Sequence, residues 1–480
     1  MSIQPWVTVE PPDSRGLRNI SIGGKTVGSA WSVHELRKIL NRLGYPEDMD
    51  MEDPASVYWR GGDSTTWPDR PWRRRTIMAL MVAGLLVSAV LHLVIGWPDA
   101  LGALTFAQRI IGALFILLGA VQGVAALAVL DYWGRRQFSL SGSIILIGAL
   151  IALATDSLLV FLWFQEKEYT RYLLAFFPLW VWSVWALCLL VREKPWNEIP
   201  HPSRFAAGAA VTALFTAVSL VYSTMYQPTS APLHFALRAE FGAPHTDPGL
   251  PFVYIPLKLY AKNDGGIPVY IINDGYTVHA TTAGYSEKSD WLKRWKTDME
   301  DPETYVGERR KDTISSGHFY GPGSWLETGE EYAKETVVRL PKDVEYDSID
   351  VELQFDFMRK DRGKIDTSEF AVPRRSWSKD EGGYYCPPEA CGEYLVYHGS
   401  VRHNNNLVNV TRGPRYVTAF WAPHIAPTVF ISSFDFKRKD KSEGLDKAET
   451  EREKARYGHQ LASVKTEVPL AGLLRRSSGA

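Results

Sequence analysis

Three polar side chains lie inside or beside strongly apolar stretches of the sequence and are candidates for a functional site. They are His92, Arg109 and Asp156. An isolated charge in hydrocarbon is costly, so Asp156 requires a partner or a proton. One interpretation is a proton or ion site shared by the three residues. The structural alternative, which the sequence favours, is a pair that holds helices together, or a protonated Asp156 bonded to a neighbouring hydroxyl.

A second candidate site is the loop C-P-P-E-A-C, which places Cys386 and Cys391 five positions apart. A bridge that closes so short a loop contributes about 2 kcal/mol by loop entropy, and two prolines already restrict this loop. We predict a disulfide between Cys386 and Cys391. The alternative is a metal site that uses His398 or His403, although this spacing is not that of ordinary zinc sites.

Known catalytic motifs are absent from the sequence. It contains no Gly-x-Ser-x-Gly elbow, no His-Glu-x-x-His helix and no paired-cysteine zinc array. We therefore expect no catalytic residue, no cofactor and no bound metal, and the chain is more simply interpreted as a non-enzyme. The charged run 447–454 is balanced in sign, so a nucleic-acid partner is not expected.

Five apolar runs of the sequence contain or adjoin His92, Arg109 and Asp156 and would position them. Each has about 20 residues, the length that a helix rising ~1.5 Å per residue needs to cross a ~30 Å hydrocarbon layer. The runs occupy 77–97, 110–130, 143–164, 172–191 and 205–226. We predict a membrane α-helical bundle of five transmembrane helices over residues 76–227, in a multi-pass plasma-membrane protein whose composition suggests a bacterial source.

The loops between these runs predict the orientation. One side carries nine basic residues and the other carries Arg109, Lys167 and Arg171. The nine are Arg70, Arg73, Arg74, Arg75, Arg135, Arg136, Arg192, Lys194 and Arg204. Since the more basic side faces the cytoplasm, we expect a cytoplasmic N-terminus and, after five crossings, an extracytoplasmic C-terminus. The first run would then be an uncleaved signal anchor.

Residues 1–75 predict a small cytoplasmic α+β unit of the order ββαβ. Gly23-Gly24 suits a two-residue hairpin turn, Ser32 and Glu35 suit a capping box, and Gly44 suits a helix stop. With the stretches 23–28 and 53–62, this unit resembles a module of about 50 residues on uncharacterised actinobacterial multi-pass membrane proteins. The resemblance implies no known chemistry. We expect either a docking unit for a cytoplasmic partner or a plug that stabilises the cytoplasmic face.

In residues 228–436, the apolar residues recur with a period of two. Stretches such as 253–260 and 349–357 alternate apolar and polar residues, which is typical of half-buried strands. We predict an all-β extracytoplasmic domain, an antiparallel sandwich, punctuated by turns such as Asn273-Asp274-Gly275. The tail 437–480 is polar and charged, and we expect it to be partly helical or disordered.

Two functions agree with this layout. The first is non-enzymatic binding, scaffolding or sensing through the β domain, with the lipid bilayer and an envelope protein or glycan as partners. The alternative is a small-solute or proton-coupled transporter that uses Asp156, Arg109 and His92. The five runs show no visible inverted repeat, which makes the transporter the less favoured function.

Overall fold

The computed structural model describes residues 7–13, 16–65, 67, 71–135, 138, 140–193, 233–284, 296, 308–377, 393–423, 425–435 and 447–475. The chain divides into two compact units. The first comprises Met1–Pro98 and Ile111–Thr216, and the second comprises Asp99–Ile110 and Ala217–Ala480. The fifth apolar run, 205–226, and the pair Cys386 and Cys391 lie outside the described residues, so both stay predictions.

The N-terminal α/β unit has one strand more than the sequence predicts. Its strands are β1 (Val7–Val9), β2 (Arg18–Ile22), β3 (Lys25–Ala30) and β4 (Val57–Trp59), in the sheet order β3-β2-β1-β4. Helix α1 (Val33–Arg42) packs on this sheet through Leu36 and Leu40.

The local signals in this unit behave as expected. Gly23 and Gly24 have φ of 56° and 79°, which a two-residue hairpin turn requires. Ser32 Oγ accepts a hydrogen bond from the Glu35 amide at 3.3 Å, and Glu35 reaches back to the Trp31 amide at 2.9 Å. The helix start is therefore held by a reciprocal pair of side-chain caps.

Among the described residues, four helices are long and apolar enough to cross a membrane. They are α2 (Pro71–Gly102), α3 (Phe106–Leu130), α4 (Ser141–Glu166) and α5 (Leu173–Glu193). They match the first four predicted runs, with ends that differ by up to six residues. A π-helical turn, Asp131–Arg135, follows α3 directly.

Glycines allow these helices to approach closely. A Cβ on Gly84 would lie 2.0 Å from the Trp182 ring, and one on Gly148 would lie 2.6 Å from Ala125 Cβ. A Cβ on Gly96 would lie 2.6 Å from the backbone oxygen of Gly112. Close backbone approach at small residues is the usual way in which membrane helices associate. Trp182 thus fills a gap left by a glycine.

The second unit contains the predicted antiparallel β region. Its strands are β5 (Phe235–Phe241), β6 (His245–Thr246), β7 (Phe252–Asn263), β8 (Val269–Gly284), β9 (Glu308–Gly317), β10 (Trp325–Leu326), β11 (Glu331–Pro341), β12 (Ser348–Arg359), β13 (Gly363–Ile365), β14 (Arg374–Arg375), β15 (Leu395–His403), β16 (Arg415–Ala422), β17 (Ile425–Ser432) and β18 (Gln460–Pro469). Its helices are α6 (Thr367–Phe370), α7 (Asn406–Thr411), α8 (Lys447–Tyr457) and α9 (Leu470–Arg475).

These strands form three sheets, with the orders β11-β7-β5, β10-β8-β12-β18 and β13-β15-β16-β17. β6 pairs with β7, β9 with β8, and β14 with β15. Side chains of the first two sheets share one apolar core, which includes Leu257, Val338 and Phe355. A second core joins the third sheet to β8 and contains Ile272, Val417 and Tyr457.

Two stretches differ from the sequence predictions. Asn273-Asp274-Gly275 lies inside β8 and is not a turn, because tertiary partners satisfy its polar side chains: Asn273 Nδ2 donates to Phe420 O at 3.2 Å. In the polar tail, α8 is a helix as expected, but β18 extends the sheet beside β12. The alternation through Ala462, Val464 and Val468 explains this strand, since these side chains pack on the shared core.

Candidate functional site

Among the predicted intramembrane residues, His92 has both of its ring nitrogens within hydrogen-bonding distance of other described residues. Its Nδ1 lies 2.9 Å from Ser88 O, and its Nε2 lies 2.9 Å from Thr155 Oγ1. A backbone carbonyl can only accept, so Nδ1 carries the hydrogen. In the neutral ring, Nε2 accepts from the Thr155 hydroxyl. The contact joins α2 to α4 next to Asp156.

Asp156 is fully buried, and neither of its carboxylate oxygens has a hydrogen-bond partner in the described part of the chain. Gln122 on α3 is equally buried, and both polar atoms of its side chain also lack partners there. Arg109 is exposed, and its Nε donates to Ala103 O at 2.7 Å. A joint action of His92, Arg109 and Asp156 therefore stays a prediction.

The β region has a buried polar centre of its own at Asp274. The carboxylate accepts hydrogen bonds from three successive amides, those of Phe319 at 2.8 Å, Tyr320, and Gly321 at 3.2 Å. Asp274 is 0% exposed, so these charge-assisted bonds form away from water. They fix the loop that follows β9.

His318 extends this centre toward β15. Its Nδ1 lies 2.9 Å from the Asp274 carbonyl, and its Nε2 lies 2.9 Å from the Tyr397 hydroxyl, which donates to it. The Trp421 ring covers His318 at 4.4 Å between centroids. Burial and, second, the Asp274 charge raise the pKa of Tyr397 to about 12. These hydrogen bonds connect the loop that follows β9 to β8 and β15.

The loop held by Asp274 forms one wall of a surface pocket of about 490 Å³. Its lining consists of Tyr320, Gly323, Ser324, Trp325, Glu330, Thr367, Ser368 and Ala371. Trp325 is 46% exposed, and Lys360 Nζ lies 5.0 Å from the centre of its ring. Two aromatic residues, three hydroxyl residues and one carboxylate residue thus line an opening large enough for a small ligand.

A buried ionic cluster joins α8 to β16. Glu453 accepts from Arg412 Nη1 at 2.7 Å and from Arg456 Nη1 at 2.8 Å, and Arg415 Nε lies 3.6 Å away. Arg412 also donates to the Tyr457 hydroxyl at 2.6 Å. These contacts tie Glu453 of α8 to Arg415 of β16 and to Arg412 just before it, so we interpret the cluster as a structural clamp for the tail.

His403 lies beside this clamp, with its ring 5.8 Å from that of Tyr457. Its Nδ1 accepts from the Asn405 amide at 3.0 Å, which requires that this nitrogen be unprotonated. Burial, followed by the positive charges of Arg412 and Arg456, lowers the pKa of His403 to about 3.

This lowered pKa predicts acid sensitivity of the β region. Between the ordinary histidine pKa of about 6.5 and the folded value of about 3, the unfolded chain binds a proton that the folded chain does not. The contribution of neutral His403 to stability should therefore be fully present above about pH 6.5 and be lost as the pH falls. Because part of the His403 surface remains accessible, we expect the free energy of unfolding to decrease by about 1 to 2 kcal/mol by about pH 5. Urea unfolding of the full-length protein across this range measures it. His403→Gln should flatten the pH dependence, and His245→Gln, at an exposed position, should not.

The alternative metal ligand His398 and the cysteine of the described helices have the following surroundings. His398 Nδ1 lies 2.9 Å from Thr418 Oγ1, and its ring stacks on Tyr416 at 5.1 Å. Cys188 on α5 is exposed and unpaired. Sequence analysis missed Asp274, His318 and Tyr397, because the contacts of Asp274 and Tyr397 with His318 span 44 and 79 positions of the chain.

Comparison with known proteins adds no functional identification. No family model matches the chain, and no curated protein matches it. The crystal structure of the ApaA protein from Bordetella pertussis is 11% identical, with 27% of this chain and 81% of that chain covered at a TM-score of 0.16. The structure of Spo0M, a sporulation control protein from Bacillus subtilis, is 11% identical, with coverages of 51% and 94% and a TM-score of 0.17. At such scores neither likeness bears on fold or function.

Proposed function

We propose that the protein is a multi-pass plasma-membrane protein whose helices anchor an extracytoplasmic β-sandwich that binds an envelope component. Five spans with a cytoplasmic N-terminus would place the β region outside, where Cys386 and Cys391 could form a disulfide. The small N-terminal unit would then face a cytoplasmic partner. The protein acts by binding, scaffolding or sensing and not by catalysis.

The pocket beside Trp325 is the observation that carries this proposal. Its wall is fixed from within by Asp274, so the loop does not have to be ordered when a ligand binds. Tyr320 and Trp325 supply aromatic side chains to the lining, and Ser324, Thr367 and Glu330 supply hydrogen-bonding groups. This combination suits a sugar, which has an apolar ring face and a rim of hydroxyls. An envelope glycan is therefore the ligand class that the pocket favours over an envelope protein.

Replacing Trp325 with alanine should weaken glycan binding about tenfold, which corresponds to ~1.4 kcal/mol for a lost aromatic contact. Co-sedimentation of the full-length protein with purified cell-wall glycan measures this change. Trp377→Ala is the matched control, because Trp377 is 52% exposed and does not line the pocket. Equal binding by all three proteins would reject the pocket as the glycan site.

The second candidate is a small-solute or proton-coupled transporter that uses Asp156, Arg109 and His92. The observation that favours it is the buried Asp156 carboxylate without a partner among the described residues. Asp156→Asn should abolish solute flux at an unchanged protein level if this function is correct. A fall in protein level alone would indicate a structural role.

A further inference from the structure

Five buried polar residues of the membrane helices, which we call the polar layer, lie around one seam. They are Ser88, His92, Gln122, Thr155 and Asp156, all between 0% and 7% exposed. Ser88 Oγ, both side-chain atoms of Gln122 and both carboxylate oxygens of Asp156 have no partner within the described chain. Native proteins pair most buried polar groups, so this concentration requires an explanation.

Two close approaches show that α2, α3 and α4 meet at this seam. A Cβ on Gly119 of α3 would lie 3.2 Å from His92 Cβ on α2. A Cβ on Gly148 of α4 would lie 2.6 Å from Ala125 Cβ and 3.1 Å from Leu85 Cδ2.

Spacing places the other members of the layer on the same faces. Gln122 lies three positions from both Gly119 and Ala125, and Ser88 lies three or four positions from both Leu85 and His92. Residues three or four apart share one helix face, so Gln122 and Ser88 point into the seam. The polar layer is therefore a single cluster within about two helical turns.

Asp156 lies deep within its span. Ten positions separate it from Glu166, the last residue of α4, which is about 15 Å along the helix. An ionised carboxylate there, without a counter-charge, is costly.

Among the described residues, few titratable groups lie near this seam. His92 faces it from α2, whereas Arg109 of α3 and Cys188 of α5 are exposed. The other charged residues of these four helices, including Glu166, lie near the helix ends. None of these groups supplies a buried positive charge to Asp156, so a bound proton is the simplest means of neutralising it.

We propose that the polar layer is a proton-binding site in which Asp156 takes up and releases the proton. A protonated Asp156 needs an acceptor for its O–H, and an ionised Asp156 needs donors. The Gln122 amide and the Ser88 hydroxyl each provide both. His92 orients the Thr155 hydroxyl toward α2, since its Nε2 accepts the Thr155 hydrogen. The layer can therefore serve both protonation states without importing a charged residue.

This inference deepens the second candidate function by naming its ligand, and it rests on the four helices crossing the membrane. It does not require that a solute be moved. If the wild-type protein moved no solute but still bound a proton at Asp156, the transporter function would be rejected and the proton-binding site would remain supported.

Infrared difference spectra of the full-length protein in liposomes, taken between acidic and alkaline buffer, test the proposal. We expect a protonated-carboxyl C=O band that is lost in Asp156→Asn, shifts in Asp156→Glu, and moves when Gln122→Leu removes the amide that the proposal assigns as a donor and acceptor in the polar layer. Glu166→Gln is the control, because it changes a carboxylate at the end of the same helix and should leave the band in place.

Two results would overturn the proposal. One is a spectrum of folded Asp156→Asn, or of Asp156→Glu if the first variant does not fold, that matches the wild type. The other is conversion of the band to ionised carboxylate when sodium replaces choline at constant pH, because that would make the ligand a metal cation and not a proton.

Discussion

The β region of an Asp274→Ala variant should unfold at a markedly lower urea concentration than the wild type. The substitution leaves the amides of Phe319, Tyr320 and Gly321 without their buried acceptor. An unsatisfied buried amide costs about 1 to 3 kcal/mol; the Phe319 amide is buried and the other two are partly buried, so we expect a loss of about 3 kcal/mol. Pulse proteolysis of the full-length protein in detergent, read from fragments of residues 233–475, measures it.

Asp264→Ala provides the control for this prediction. Asp264 lies in the loop before β8, is 45% exposed and pairs with Lys262 at 2.9 Å. An exposed pair contributes ~1 kcal/mol or less, so the urea midpoint should hardly move. Equal midpoints for the two variants would show that Asp274 does not hold the pocket loop.

Removal of the Glu453 carboxylate should have a comparable effect on the tail. In Glu453→Ala, the guanidinium groups of Arg412, Arg415 and Arg456 remain close together with less negative charge between them. Breaking a buried ion pair by removing one partner costs about 3 to 5 kcal/mol. We expect α8 to detach from β16 and become accessible to protease in the otherwise folded protein.

The matched variant is Glu451→Ala on the same helix. Its carboxylate is 73% exposed and pairs with Lys454 at 3.2 Å, so its loss should change stability by ~0.5 kcal/mol or less. Full protection of α8 in Glu453→Ala would contradict the interpretation of the cluster as a clamp.

Local chemistry explains what could be predicted from the sequence. The hairpin at Gly23-Gly24, the cap at Ser32 and the four apolar helices each depend on neighbouring residues and are found as expected. The same local logic failed at Asn273-Asp274-Gly275, where the usual turn residues lie inside β8. Their side chains bond to Phe420 and to the loop at 319–321, which no local pattern reveals.

The candidate sites show the same limit. Asp156 was visible in the sequence because a carboxylate is rare in an apolar run. Gln122, Ser88 and Thr155 gained significance only when the helix faces were known, and Trp325 only when Thr367 and Ser368 were seen to line the same pocket. Sites assembled from distant segments require the tertiary contacts that create them.

The central claim, a membrane-anchored β region on the extracytoplasmic side, is tested most directly by alkaline-phosphatase fusions along the chain. Fusions after Lys167 and Leu233 should be active, and fusions after Arg136 and Trp196 should be inactive, because the enzyme folds only outside the cytoplasm. Activity that alternates through Trp196 but is absent after Leu233 would place the β region in the cytoplasm and reject both the fifth span and the envelope ligand. Activity that does not alternate would contradict the membrane-spanning arrangement itself.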